Sequence, residues 1–179
     1  EFARRGYDVL GIDVSPTMLA EAAARAKEFG VVVDWRQGDL RQLASLAVPA
    51  QSVDLALCLC ESGFGVLGSE EADLRFLYSV AHLLRDDAPL VITCLNGIRK
   101  YRRLGAAFDY LTGIVHWQAP MEDRSLQEDQ RIYTPSEMHL LLTMAGFADV
   151  AIYGCQPGYF AGQSLEPDDI EMMVIARRK

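Results

Sequence analysis

The sequence predicts an α/β fold on a mostly parallel sheet, and three observations carry that expectation. Short apolar runs of strand length alternate with stretches of helical periodicity along most of the 179 residues. An acidic residue follows each of the first two runs, Asp13 and Asp39, where an open α/β sheet receives its ligands. The last two runs have no helix between them. A parallel pair would need a crossover of roughly a dozen residues or more, so these two strands should pair antiparallel at one edge.

Composition bounds the function classes. A hydrophobic share of 50% and a charged share of 23% fit a globular core and exclude disorder for most of the length. The formal net charge is −8, which argues against broad binding to nucleic acid or to an anionic membrane and favours a small-molecule partner. No apolar run reaches the roughly 18 residues that span a bilayer. Cys58, Cys60, Cys94 and Cys155 are too few, and too embedded in apolar runs, for a disulfide framework, which points to a reducing cytoplasm. A zinc site would need a clustered quartet, so no metal is expected.

The elements follow in order. Residues 1–5 read as the last turn of a helix closed by Gly6, with Arg4 and Arg5 where the macrodipole favours cations. Residues 7–12 read as a buried strand ending at Asp13. Ser15 is a natural N-cap with Pro16 at the first helical position, and Met18, Leu19, Ala22, Ala23, Ala26 and Phe29 form an apolar stripe that Gly30 ends. Residues 31–36 form a second strand before Gly38, Asp39 and Leu40. The run 53–59 is nearly continuously apolar, as a strand buried on both faces requires.

A glycine-containing loop at 62–68 leads to Ser69, which caps a helix with Leu74, Leu77, Ala81 and Leu84 on one face, and 89–95 is the next strand. Residues 96–130 lose clear periodicity and read as an insertion. Thr134, Pro135 and Glu137 form a capping box that opens a helix running to Ala145 and Gly146. Strands at 148–153 and 170–177 close the chain.

Asp13 could accept both hydroxyls of a ribose or help to cap the helix after it. Asp39 could accept from the exocyclic amine of a base, and the Gly-Asp pair is equally a turn signal. Three segments in this order add up to more than each alone: Gly11-Ile12-Asp13-Val14-Ser15-Pro16-Thr17-Met18-Leu19, then Gly38-Asp39-Leu40, then Ser52 to Cys58 running into Glu61-Ser62-Gly63-Phe64-Gly65. With Tyr133-Thr134-Pro135-Ser136-Glu137 leading to Ala145-Gly146-Phe147, the chain resembles the class I S-adenosylmethionine-dependent methyltransferases over nearly its whole length.

The resemblance implies a Rossmann-like sheet and S-adenosylmethionine as cofactor. It implies that Asp13 holds the ribose hydroxyls, that Val14 and Met18 pack on the adenine, and that Asp39 and the Leu40 N–H read the base edge. The backbone at Cys60, with Glu61 beside it, would lie near the methionine ammonium, and Phe64 would close the methyl-transfer end or pack on the scaffold. The family opens with a strand and a glycine-rich turn, and nothing before Asp13 matches them. The expectation is therefore a single domain over 1–179 that lacks its first, central strand, with 96–130 as an insertion covering the acceptor.

Methyl transfer from a sulfonium is an in-line displacement, so the protein mainly aligns the reactants and excludes water. A base is needed only when the acceptor carries a proton that must leave. His116 is the candidate for that role and, with Tyr101 and Phe64, for contact with a small-molecule acceptor. Arg99, Lys100, Arg102 and Arg103 could steer an anionic acceptor or form a solvated helix face, and Tyr110 could share the pocket. Two other readings remain open at this level. One is a nicotinamide-dependent oxidoreductase, which also holds a ribose on an acidic residue. The other is a cofactor-binding remnant without turnover.

Overall fold

Strand β1 (Leu10–Asp13) pairs in parallel with β2 (Asp34–Gln37), Leu10 opposite Asp34 and Asp13 opposite Gln37. The computed structural model describes residues 1–60, 63–103, 108–121, 124–156 and 159–179, without the side chains at 118–121, 124–128 and 156. Contacts divide the chain into Glu1–Ala47 and Val48–Lys179. In the first unit α1 (Pro16–Glu28) connects the two strands. Its start is fixed as the sequence suggests: Ser15 Oγ accepts from the Met18 N–H at 3.3 Å, and Pro16 takes a position whose N–H has no helical partner. Gly11 is required because the Trp35 ring lies where a Cβ would stand. Residues 3–5 form a single 3-10 turn that Gly6 closes in the left-handed region. Only Leu43 of this unit is buried, and no residue of α1 is.

The second unit contains β3 (Ala56–Cys58), α2 (Glu70–Leu83), β4 (Pro89–Leu95), α3 (Gly97–Arg103), β5 (Phe108–Asp109), β6 (Ile114–Met121), β7 (Arg124–Arg131), α4 (Pro135–Met144), β8 (Phe147–Gln156), β9 (Tyr159–Ser164) and β10 (Glu171–Arg178). Five strands form one sheet in the order β3-β4-β10-β8-β9, and β5-β6-β7 form another. β3 and β4 are parallel. β10 runs antiparallel to both β4 and β8. The sheet rests on fully buried Leu77, Leu84, Ile92, Met138, Leu142, Phe147 and Met172, each worth roughly 1.5 to 3 kcal/mol when removed from water.

The α/β class and the antiparallel pairing of the last two predicted strands hold. Three details differ. Most pairings in the second unit are antiparallel rather than parallel. The edge position belongs to β9, which was not read from the sequence, so β10 is interior. The 96–130 segment is not irregular: it carries α3, β5, β6 and most of β7, whose hairpin pairs Ile114 with Arg131 and His116 with Asp129. Among the described residues β1 pairs with β2 alone, and β3 with β4 alone.

The helix α4 opens on the predicted capping box. The Glu137 N–H donates to Thr134 Oγ1 at 3.3 Å, and the Thr134 N–H donates to Glu137 Oε2 at 2.7 Å. Thr134→Ala is expected to cost about 1 kcal/mol, read as a lower urea midpoint, whereas Thr134→Ser should stay close to wild type.

Candidate active site

In the first unit the two predicted carboxylates stand at the same end of neighbouring parallel strands. The Gly38 N–H donates to the Asp13 carbonyl at 3.0 Å, which ties the two strand ends together. Asp13 Oδ1 accepts from the Ser15 N–H at 2.8 Å, a turn that orients the carboxylate before α1 begins. Beside it Val14 and Met18 are 64% and 55% exposed, an unusual degree for two apolar side chains next to a polar turn. Asp39 caps the 3-10 helix Leu40–Leu46 and holds Arg41, with Arg41 Nη2 at 2.6 Å from Oδ2. The Arg41 side chain, then its backbone N–H, keeps the Asp39 carboxyl below the ordinary carboxylate range. This donor and acceptor set, with an open apolar pair beside it, fits the adenosine half of a nucleoside cofactor.

In the second unit β3 gives way to Cys60, which turns at φ 68 and donates its N–H to Thr93 Oγ1 at 2.8 Å. A left-handed non-glycine residue costs on the order of 1 kcal/mol, and the Thr93 hydroxyl on β4 holds it there. Glu61 lies outside the described residues. Phe64 is 1% exposed, with its ring centroid 5.1 Å from Tyr133 and 6.4 Å from Phe76. The structure therefore places this ring in the core, the scaffold-packing alternative of the two readings.

What holds that loop is a buried carboxylate that sequence reasoning missed. Asp73 is fully buried on α2. It accepts from Tyr133 Oη at 2.6 Å and from the Gly65 N–H at 3.1 Å. Burial pushes its carboxyl above the ordinary value, against the pull of those two donors. Burial, and then the Asp73 charge, push the Cys58 thiol up to about 11. Arg131 stacks 4.4 Å from the Tyr133 ring centroid and donates from Nη2 to Glu70 at 2.6 Å and to Glu137 at 2.7 Å. Burial works against its charge, and the two carboxylates outweigh that and raise its pKa. A signal existed: Asp73, Phe76, Leu77 and Val80 share helical phase, so a carboxylate stands inside an apolar stripe.

The remaining candidates separate. Tyr101 packs against the buried cluster of Leu95, Phe108, Val115 and Ile132, 4.5 Å from the Phe108 ring. Tyr110 is 62% exposed. Of the basic cluster, Arg102 and Arg103 reach Asp168 at 3.5 and 3.0 Å, and Lys100 lies 4.6 Å over the Trp117 ring. His116 Nδ1 is 2.7 Å from Asp129 Oδ1 on the facing strand.

Comparison with known proteins adds the class. The profile described as a methyltransferase domain matches residues 1–87. A ubiquinone biosynthesis O-methyltransferase from Azorhizobium caulinodans is 28% identical over 146 residues, covering 81% of this chain and 52% of that protein. The chain thus spans about half the length of the curated relatives it matches, a second being the Rickettsia canadensis protein at 24% identity. Among solved structures, the CcbJ methyltransferase from Streptomyces caelestis aligns with TM-score 0.78 at 17% identity, covering 99% of this chain and 77% of that one. An S-adenosylmethionine-dependent methyltransferase from Clostridium acetobutylicum aligns with TM-score 0.76 at 11% identity, covering 99% and 77%.

The fold is that of the class I S-adenosylmethionine-dependent methyltransferases. The resemblance read from the strand-end motifs is borne out by the profile match, the curated relatives and the solved structures together.

Asp73 should be visible in the pH dependence of stability. Folding raises its carboxyl, so its contribution is complete while the group is protonated in both states and is lost as pH rises through the elevated folded value. Asp73→Asn removes that slope. In urea titrations from about pH 4 to about pH 7 the stability difference, wild type minus variant, should fall as pH increases.

Proposed function

We propose that this protein transfers a methyl group from S-adenosylmethionine to a small-molecule acceptor. The observation that carries the reading is the pair of carboxylates at the ends of β1 and β2 beside exposed Val14 and Met18. When bound, the cofactor supplies a methyl activated by its sulfonium. Asp13 accepts the ribose hydroxyls with the lone pairs that Ser15 leaves, and Val14 and Met18 cover the adenine. Asp39 shares its carboxylate between Arg41 and the adenine amine, and the Leu40 N–H meets the ring. The Cys60 backbone and Glu61 take the methionine ammonium.

The whole of 1–179 acts as one methyltransferase domain in this reading, with 96–130 on the acceptor side, where Phe64, Tyr101 and His116 belong. Both curated relatives carry O-methyltransferase in their names, which favours an oxygen acceptor. The charge of −8 favours a partner other than nucleic acid or an anionic membrane. Among the described residues no helix is long and apolar enough to cross a membrane. The four free cysteines fit a reducing, cytoplasmic setting.

Calorimetry tests the cofactor half. Asp13→Asn keeps the acceptor for Ser15 but loses the anion, and it should weaken S-adenosylmethionine binding about tenfold or more, about 1.4 kcal/mol. Wild type that binds neither S-adenosylmethionine nor its demethylated product would remove this reading. Alkylation gives an independent readout. Cys60 is exposed, while Cys58 has its thiol raised and Cys94 and Cys155 are buried. Iodoacetamide should therefore label Cys60 first in peptide mapping, and S-adenosylmethionine should slow that labelling.

A further inference from the structure

The second face of the β5-β6-β7 sheet carries a group of polar side chains that the proposed cofactor site does not use. Side chains alternate along a strand, so Val115 and Trp117 point to one face while Ile114 and His116 point to the other. On the facing strand Asp129 and Arg131 share that second face, as the cross-strand pairs His116 with Asp129 and Ile114 with Arg131 require. That face borders a cleft of about 370 Å³, lined by Gly65, Ser69, Glu70, Thr112, Asp129 and Arg131 among others. Its volume lies in the range of small-ligand sites, roughly 300 to 1,000 Å³.

Within this face the imidazole of His116 is fixed by a single contact. Nδ1 stands 2.7 Å from Asp129 Oδ1, and both side chains are about half exposed, at 48% and 55%. A carboxylate only accepts, so Nδ1 carries the proton in neutral His116 and Nε2 keeps its lone pair. The charged groups around the pair are Glu70, Glu71 and Arg131 in the cleft and Asp109 beside His116, and Arg131 is already bound to Glu70 and Glu137. The unspent charge of the cleft is negative, which disfavours an anionic acceptor and leaves a neutral hydroxyl compound as the best match.

We infer that Asp129 is a positioning residue that holds His116 as the base for a neutral hydroxyl acceptor seated in this cleft. The inference rests on the methyl-transfer reading and names the acceptor chemistry within it. In the step, the acceptor oxygen forms a bond to the methyl carbon while the sulfur–methyl bond breaks and its electron pair returns to sulfur. The hydroxyl proton passes to His116 Nε2, and the imidazolium that results faces the Asp129 carboxylate, which offsets its charge. The sulfonium donor leaves as its neutral thioether, so atoms and charge balance.

Long-range proton–nitrogen NMR of His116 and steady-state kinetics with catechol and guaiacol as probes test this together. Wild type should show the Nδ1–H tautomer, and Asp129→Ala should move His116 toward Nε2–H. The same variant should lose at least about tenfold in kcat with its KM for S-adenosylmethionine within about twofold, and Asp129→Glu should recover part of the loss. His116→Gln should lose as much or more, with no further loss in the double variant. An Nε2–H tautomer in wild type, unchanged kcat in Asp129→Ala, or S-adenosylmethionine binding with neither phenol methylated would each overturn the inference. Absence of S-adenosylmethionine binding would instead bring down the methyl-transfer reading and this inference with it, and calorimetry separates that case.

Discussion

Asp73 places a fully buried carboxylate in the apolar stripe of α2, and the ligand-side loops of the 48–179 unit depend on how it is satisfied. A buried charge is tolerated only with partners. Here they are the Tyr133 hydroxyl and the Gly65 N–H, so the helix, the loop after β3 and the segment leading into α4 are pinned at one point. The same segment closes the network from its other side. The Arg131 N–H donates to the Gly65 carbonyl at 2.7 Å, and the Gly97 N–H donates to the Tyr133 carbonyl at 3.0 Å. The loops following β3 and β4, which open at the carboxyl ends of parallel strands, are thus both anchored on residues 131–133. Phe64 is drawn into the core by this arrangement, because Gly65 beside it has its N–H on Asp73 and its carbonyl on Arg131.

Arg131 links that buried network to the open cleft. Its backbone belongs to β7, its ring neighbour is Tyr133, and its guanidinium fans to Glu70 at the start of α2 and to Glu137 in the capping box of α4. Two helix N-termini therefore each bring a carboxylate, the charge that the macrodipole favours there, to one cation. The consequence for chemistry is that Arg131 has little charge left to offer an acceptor, although it lines the cleft. The polar function at that wall falls to residues one cross-strand pair further along, Asp129 and His116.

The strand-end logic was legible because it depends on local order alone: a strand, then an acid, then a capped helix. Asp13, Ser15 and Pro16 occupy the predicted positions, and so do Thr134 and Glu137. The insertion was opaque for a physical reason. β7 reads Arg-Ser-Leu-Gln-Glu-Asp-Gln-Arg, without the apolar alternation that marks a strand, and its stability comes from pairing with β6 and from ion pairs. β9 was missed in the same way, since four of its six positions in sequence are small or polar and it joins the sheet only as an edge. His116 was found by residue type, while its partner Asp129 lies 13 positions away and only register brings them together.

Asp39 shows why burial in the first unit cannot be read as simply as order. In sequence it had two roles, base recognition and turn formation, and the structure displays the turn role in full: cap, backbone acceptor and ion pair with Arg41. These roles are compatible in physical terms. The Arg41 contact keeps the carboxyl ionised, and an ionised carboxylate has about four acceptor directions, more than Arg41 and its own N–H consume. An exposed ion pair contributes only about 0 to 1 kcal/mol, so rearranging it to admit an amine donor costs little. The turn that looked like the competing explanation for Asp39 is what holds its carboxylate ionised beside the end of β1.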